Sequence, residues 1–273
     1  MAKYTVAIVG IGNMGRAVLE GLIGRGYDAE AILAIEPDEK KREEAGRIFL
    51  VSTCPEIDQQ ITDAENIIIC VKPQVIKSVI ENLKNYISRN KLFISIAAGI
   101  PVSFYETILG SEIPIIRAMP NVAASVQEAM VAYTCNNATS AKKEETGVKL
   151  LSSIGKVIKI DEKLMDGFTA IAGSGPGFVA LFAEAMVDAG VLEGFSREVA
   201  EDIVAQTIYG TATLMNKTKI KPSILKEMVT SPAGTTIRGL FMLETGGLKG
   251  LVMNAVRYAT ERSKELRDEK QQE

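Results

Sequence analysis

Residues 4–25 constrain this chain more than any other stretch. Tyr4–Val9, YTVAIV, is short, β-branched and free of charge, the pattern of a strand buried on both faces. It runs directly into Gly10-Ile11-Gly12-Asn13-Met14-Gly15, and a helical pattern continues to about Arg25. Strand, glycine-rich turn and helix in immediate succession open a βαβ unit. The glycines at this spacing have separate tasks. Gly10 allows the tight turn, Gly12 lets a diphosphate approach the backbone, and Gly15 lets helix and strand pack closely. Glycine triplets also arise by chance, so the strand before and the helix after are what make this one informative.

The same alternation continues down the chain. Strand patterns over 31–35, 50–52 (weak), 66–71, 92–96, 113–118, 129–134 and 156–160 are separated by helical patterns over 38–46, 74–86, 101–109 and 140–153. This predicts an α/β fold: an N-terminal Rossmann-type, parallel, doubly wound sheet. After Ile160 no strand pattern recurs. Helices are predicted over 175–192, 196–215, 222–229, 235–244 and 248–266. The reading is therefore a dinucleotide-binding domain over 1–161 and an all-α helical domain over 162–273. Several of these helices, such as Phe178–Val187, are apolar on more than one face. Surplus apolar surface of that kind can be buried against a second copy or inside a compact monomeric bundle. The tail Arg262–Glu273, dense in charge, is expected to fray into solvent.

Composition narrows the chemistry. A net charge of -3 gives no electrostatic footprint for nucleic acid or an anionic membrane. No apolar run is expected to reach the length of a membrane span, and MAKYTVAIVG lacks a signal-peptide pattern, so a cytoplasmic location is expected. The chain contains no histidine, which removes Ser-His and Cys-His triads, imidazole bases and histidine metal ligands. Cys54, Cys70 and Cys135 lie far apart with no CxxC pair, and no metal site is predicted.

Glu36 closes the second predicted strand, about 20 residues beyond the glycine turn, where an acidic side chain grips the adenosine ribose hydroxyls of NAD and repels a 2′-phosphate. This favours NADH over NADPH. Lys40, Lys41 and Arg42 lie nearby and could neutralise a phosphate, or simply form a solvated helix face. Three loops follow predicted strands, where ligands bind in open α/β sheets: Val71-Lys72-Pro73-Gln74, Ala97-Ala98-Gly99 and Ala118-Met119-Pro120-Asn121. Each also fits an ordinary turn.

In the second domain, Ser231-Pro232-Ala233-Gly234-Thr235-Thr236 leads at once into an apolar-periodic helix. A helix start with free N–H groups binds anions, and the hydroxyls of Ser231, Thr235 and Thr236 add donors beside Gly234. An ordinary capped helix after a Pro-Gly turn is the plainer alternative. The wording of 225–244, with the glycine turn, VKP, SIAAG, RAMPN and Gly173-Ser174-Gly175-Pro176, resembles the pyrroline-5-carboxylate reductases over nearly the whole chain. In that family the first residue after the loop proline is usually glycine; here it is Ala233.

The resemblance implies reduction of 1-pyrroline-5-carboxylate to L-proline, the last step of proline biosynthesis, with NADPH or NADH as cofactor. It implies that Ser231, Gly234 and Thr235 hold the carboxylate of a cyclic imine and that Thr236 bonds the ring nitrogen. It places Lys72, Pro73 and Asn121 near the ribose and nicotinamide, with Ala98 behind the nicotinamide ring. It further implies a homodimer or higher homo-oligomer formed through the helical domain, the substrate loop of one subunit working beside its partner's structures. An imine suits a site without histidine, because its nitrogen can take a proton from water before reduction, whereas a carbonyl needs an acid. Three rivals stand beside this reading: a 3-hydroxyacid dehydrogenase, disfavoured by the lack of Lys or Arg from Leu164 to Ser196; a reductase of another cyclic imine; and a non-catalytic nucleotide-binding relative.

Overall fold

The computed structural model describes residues 3–272. Eight strands form one sheet: β1 (Tyr4–Val9), β2 (Ile32–Ile35), β3 (Ser52–Cys54), β4 (Ala64–Ile69), β5 (Leu92–Ser95), β6 (Ile115–Met119), β7 (Ala129–Cys135) and β8 (Gly155–Lys159). Their spatial order is β3-β2-β1-β4-β5-β6-β7-β8. The chain order reverses between β1 and β4, so a crevice opens at the carboxyl ends of those two strands. Neighbours are parallel except β6 and β7, where Arg117 faces Thr134 in an antiparallel ladder. The apolar runs had predicted parallel strands throughout, but such a run is the same in either direction.

Helices α1 (Asn13–Gly24), α2 (Glu39–Phe49), α3 (Ile76–Leu83), α4 (Val102–Leu109) and α5 (Ala141–Leu151) cover the sheet. Alternate residues of β1 enter opposite cores. Val6 and Ile8 pack with Val18, Leu19 and Leu22 of α1. Ala7 and Val9 pack with Ile76, Ile80 and Tyr105 of α3 and α4. Both faces are apolar because both are covered. Capping fixes where helices begin: the Asp38 carboxylate accepts the Lys41 N–H at 3.1 Å to start α2.

Compact packing divides the chain between Gly173 and Ser174, and residues from Ala259 onward belong with the first unit. Glu162 is tied to the sheet: Arg117, 5% exposed, donates Nη1 to its Oε1 at 2.8 Å, and the same oxygen accepts the Val102 N–H at 2.8 Å. Beyond it run α6 (Met165–Phe168) and a π-helical turn over Thr169–Gly173.

The helical unit contains α7 (Gly175–Leu192), α8 (Arg197–Thr218), α9 (Pro222–Met228) and α10 (Thr235–Thr245), with the start of α11 (Leu248–Gln272). Its buried centre is small: Val187, Ala200 and Val204, with Ala183, Met186 and Ile208 against them. Phe182, Leu192, Tyr209, Phe241, Met253 and Tyr258 are exposed on the protomer. The expectation that no apolar run reaches spanning length is corrected here. Glu162–Leu192 is helical, long and apolar enough to cross a bilayer by length and composition, and 11% of its most apolar window is buried within the protomer.

The tail also departs from expectation. Residues 248–272 form one helix, and Ser263 Oγ donates to Asp166 Oδ1 at 2.8 Å while Arg267 pairs with Oδ2. Asp166 is 3% exposed, so its carboxylate needs these partners. Glu273 lies outside the described residues, as do the side chains of 270–272.

Candidate active site

The glycine turn is built by contacts that require glycine at two positions. Gly10 adopts φ +91°, and its N–H donates to Ile35 O at 2.8 Å. At Gly15 a β-carbon would stand 1.9 Å from Gly10 O, so α1 could not sit on β1 with any side chain there. Gly12 differs. Its φ is -71°, and a β-carbon would meet nothing within 4 Å. Neither backbone strain nor packing demands glycine at this point; it keeps open the space in front of the α1 N-terminus. That terminus has no side-chain cap, so the first N–H groups of α1 remain available to an anion.

A cleft of about 690 Å³ lies over this turn, lined by Ile11–Met14, Cys70–Pro73, Ile96–Ala98 and Met119–Pro120. It sits at the switch point of the sheet. Ile11, Gly12, Asn13, Met14, Lys72, Pro73 and Ala98, each predicted from sequence, face it directly. Gly10 and Gly15 support it from below. Asn121 follows Pro120; its Nδ2 donates to Ala172 O at 2.9 Å within the π-helical turn, and its buried Oδ1 has no hydrogen-bond partner. Desolvation pushes the Cys70 thiol well above its ordinary range, so it stays an uncharged lining group.

Glu36 stands just past the end of β2, as expected, with both carboxylate oxygens engaged by backbone N–H groups. It is 7% exposed, its Oε2 accepts the Ile11 N–H at 2.7 Å, and its Oε1 accepts the Asp38 N–H at 3.1 Å. The carboxylate thus braces the glycine turn as well as standing at the end of β2. Arg42, expected on a solvated face, instead donates Nη1 to Glu36 O at 3.1 Å and Pro37 O at 3.2 Å. Sequence reading missed Arg16, which lines the cleft between Glu20 (2.9 Å) and Glu44 (2.7 Å) and lies over the Phe49 ring at 5.8 Å. The i,i+4 spacing of Arg16 and Glu20 was the available signal.

In the helical unit, Ser231, Gly234, Thr235 and Thr236 come together at the start of α10. The Gly234 N–H donates to Ser231 O at 3.1 Å, closing a four-residue turn. Ala233 lies inside it at φ +55°. Gly234 is the N-cap, with extended backbone and no side-chain cap, so the N–H groups opening α10 are unspent. A β-carbon at Gly234 would stand 2.3 Å from Ser231 Oγ. The smallness of Gly234 leaves room for the Ser231 hydroxyl. Among the described residues, no group of three or more His, Cys, Asp or Glu is placed to hold a metal ion.

An open glycine turn at the switch point and an uncapped helix start behind it make this a Rossmann-type protein with a cleft fit for a dinucleotide. Two family models match: "NADP oxidoreductase coenzyme F420-dependent" over residues 5–99 and "Pyrroline-5-carboxylate reductase dimerisation" over 162–266. A pyrroline-5-carboxylate reductase of Methanosarcina acetivorans is 39% identical over 97% of this chain and 99% of its own. The solved Coxiella burnetii pyrroline-5-carboxylate reductase is 31% identical at TM-score 0.92, covering 97% of this chain and 98% of that one. The Plasmodium falciparum pyrroline carboxylate reductase, solved with NADP bound, is 33% identical at TM-score 0.85, over 97% of this chain and 99% of that one. The chain belongs to the pyrroline-5-carboxylate reductase family.

Proposed function

We propose that this protein reduces 1-pyrroline-5-carboxylate to L-proline, completing proline biosynthesis, with a nicotinamide dinucleotide as reductant. The observation that carries the reading is a pair of unspent helix N-termini in one chain of this family: α1 behind the open space at Gly12, and α10 behind the Ser231–Gly234 turn. The first suits a diphosphate and the second a carboxylate.

The nicotinamide, when bound, supplies the hydride that converts the C=N carbon to C–H. The chain's own residues bind and orient. The Ser231 hydroxyl and the first N–H groups of α10 hold the substrate carboxylate, and Gly234 keeps them close together. Thr236 Oγ1 hydrogen-bonds the ring nitrogen, aligning the imine carbon. The nitrogen's proton comes from water, so no acid side chain is needed. Met14, Ala98 and Met119 shed water around the reacting end of the cleft.

For the cofactor, NADH is favoured. A 2′-phosphate near the end of β2 would lie beside Glu36 and Asp38, while Arg42 is engaged by two backbone carbonyls and Lys41, which lines the cleft, pairs with Asp38. The apolar helices of the second unit are covered by a second copy, giving a homodimer or larger homo-oligomer in the cytoplasm, with neither membrane nor nucleic acid as partner.

Turnover of 1-pyrroline-5-carboxylate by purified protein, with NADH and NADPH side by side, tests this directly. Reduction with a higher kcat/KM for NADH is the expected result. Tight nucleotide binding without reduction would leave a non-catalytic relative; reduction of only the six-membered imine would change the substrate.

A further inference from the structure

Four described non-glycine residues have positive φ: Leu50, Gln127, Lys219 and Ala233. Leu50, Gln127 and Lys219 each close the C-terminal end of a helix or helical turn, where the left-handed conformation is routine. Ala233 alone precedes a helix. It occupies the third position of the turn Ser231-Pro232-Ala233-Gly234, after a proline whose fixed φ suits the second position. Glycine is the residue for a third position at positive φ, since it has no β-carbon to crowd the backbone.

Resting on the reading of this turn as the carboxylate site, we infer that Ala233 is a positioning residue that weakens retention of carboxylate ligands by straining the closed turn. The turn is held by the Gly234 N–H to Ser231 O bond and by Ser231 Oγ seated over the Gly234 α-carbon. Only with residue 233 left-handed do those contacts form and leave the α10 N–H groups and the Ser231 hydroxyl convergent. An alanine prefers negative φ. Rotation there breaks the closing bond and carries Ser231 away from the helix start. Alanine therefore sets up two states, and an anion binds the strained one. Apparent affinity falls by the fraction of molecules in the competent state, equally for imine substrate and amine product, since both carry the same carboxylate. Faster product release comes with weaker substrate capture.

Ala233→Gly removes the strain and keeps every ligand-facing group. The expected result is a fall in KM for 1-pyrroline-5-carboxylate and in the inhibition constant of L-proline by the same factor, about three- to tenfold, with the KM for the nicotinamide cofactor unchanged. Ala233→Ser, which retains the β-carbon, should stay near the parent for both constants. Unchanged or raised constants in Ala233→Gly overturn the inference, as does an equal change in the cofactor KM. Ser231→Ala measured in parallel separates the two levels: a raised KM for the imine there with no effect at 233 removes only this inference, whereas an unchanged KM in Ser231→Ala removes the carboxylate-site reading beneath it.

Discussion

Under the proposed function, the two halves of this chain hold an anion in different ways. The glycine turn of the first unit is over-determined by its own protomer: Gly15 sits against Gly10, Gly10 against Cys70 and Val71, and Glu36 grips Ile11. The turn before α10 has one closing hydrogen bond and one hydroxyl seated on a glycine, and it belongs to a unit with only a small buried centre. A cofactor site needs the same shape in every cycle. A substrate site that must release a near-identical product can be looser, and its support can come from a second copy of the chain.

The strongest way to break this contrast is to attack the over-determined half. Gly15→Ala places a β-carbon 1.9 Å from Gly10 O, which α1 can relieve only by leaving β1. A loss of about 3 kcal/mol in denaturant unfolding is expected, together with loss of dinucleotide binding. Next comes the looser half. Thr236→Ala should lower kcat/KM for the imine by about 10- to 100-fold, the worth of a hydrogen bond to a charged group, while calorimetry shows unaltered nucleotide affinity. Glu36→Gln sharpens the cofactor side: it keeps an acceptor for Ile11 but removes the charge, so the NADPH to NADH ratio of kcat/KM should rise about tenfold. An unchanged ratio would assign selectivity elsewhere.

The smallest effect tests the edge of the first unit. Lys159 at 2.8 Å and the Tyr133 hydroxyl at 2.9 Å hold the Glu144 carboxyl below its ordinary value of 4.5. Its stabilisation is present above that value and is lost as pH falls through the lowered folded value. Glu144→Gln should therefore cost under about 1 kcal/mol at neutral pH, with parent and variant converging in acid.

Much of this molecule was legible in its residues. The glycine turn, the strands on either side of the switch point and the bounds of α7 follow from local pattern, because burial on two faces and helix periodicity leave direct traces. What escaped was set by distant partners. The reversed direction of β7 depends on pairing that an apolar run does not encode. The π-helical turn at 169–173 is accompanied by a bond from Asn121, distant in sequence. Glu36 was recognised as an acidic residue at the right place, but its bonds to Ile11 and Asp38 belong to the folded turn. The tail reads as solvated charge until Asp166 is seen to need Arg267. Ala233 was visible as a departure from the family's wording, and its left-handed backbone gives that departure a physical meaning.

We propose that one protomer suffices to hold the dinucleotide, and that reduction needs the second copy proposed to cover the apolar helices. Nucleotide affinity and turnover per chain, both followed across serial dilution with mass measured at each concentration, test it most directly. The account predicts a constant dissociation constant for NADH while turnover per chain falls as oligomers dissociate. Turnover per chain that persists unchanged in monomers would contradict it.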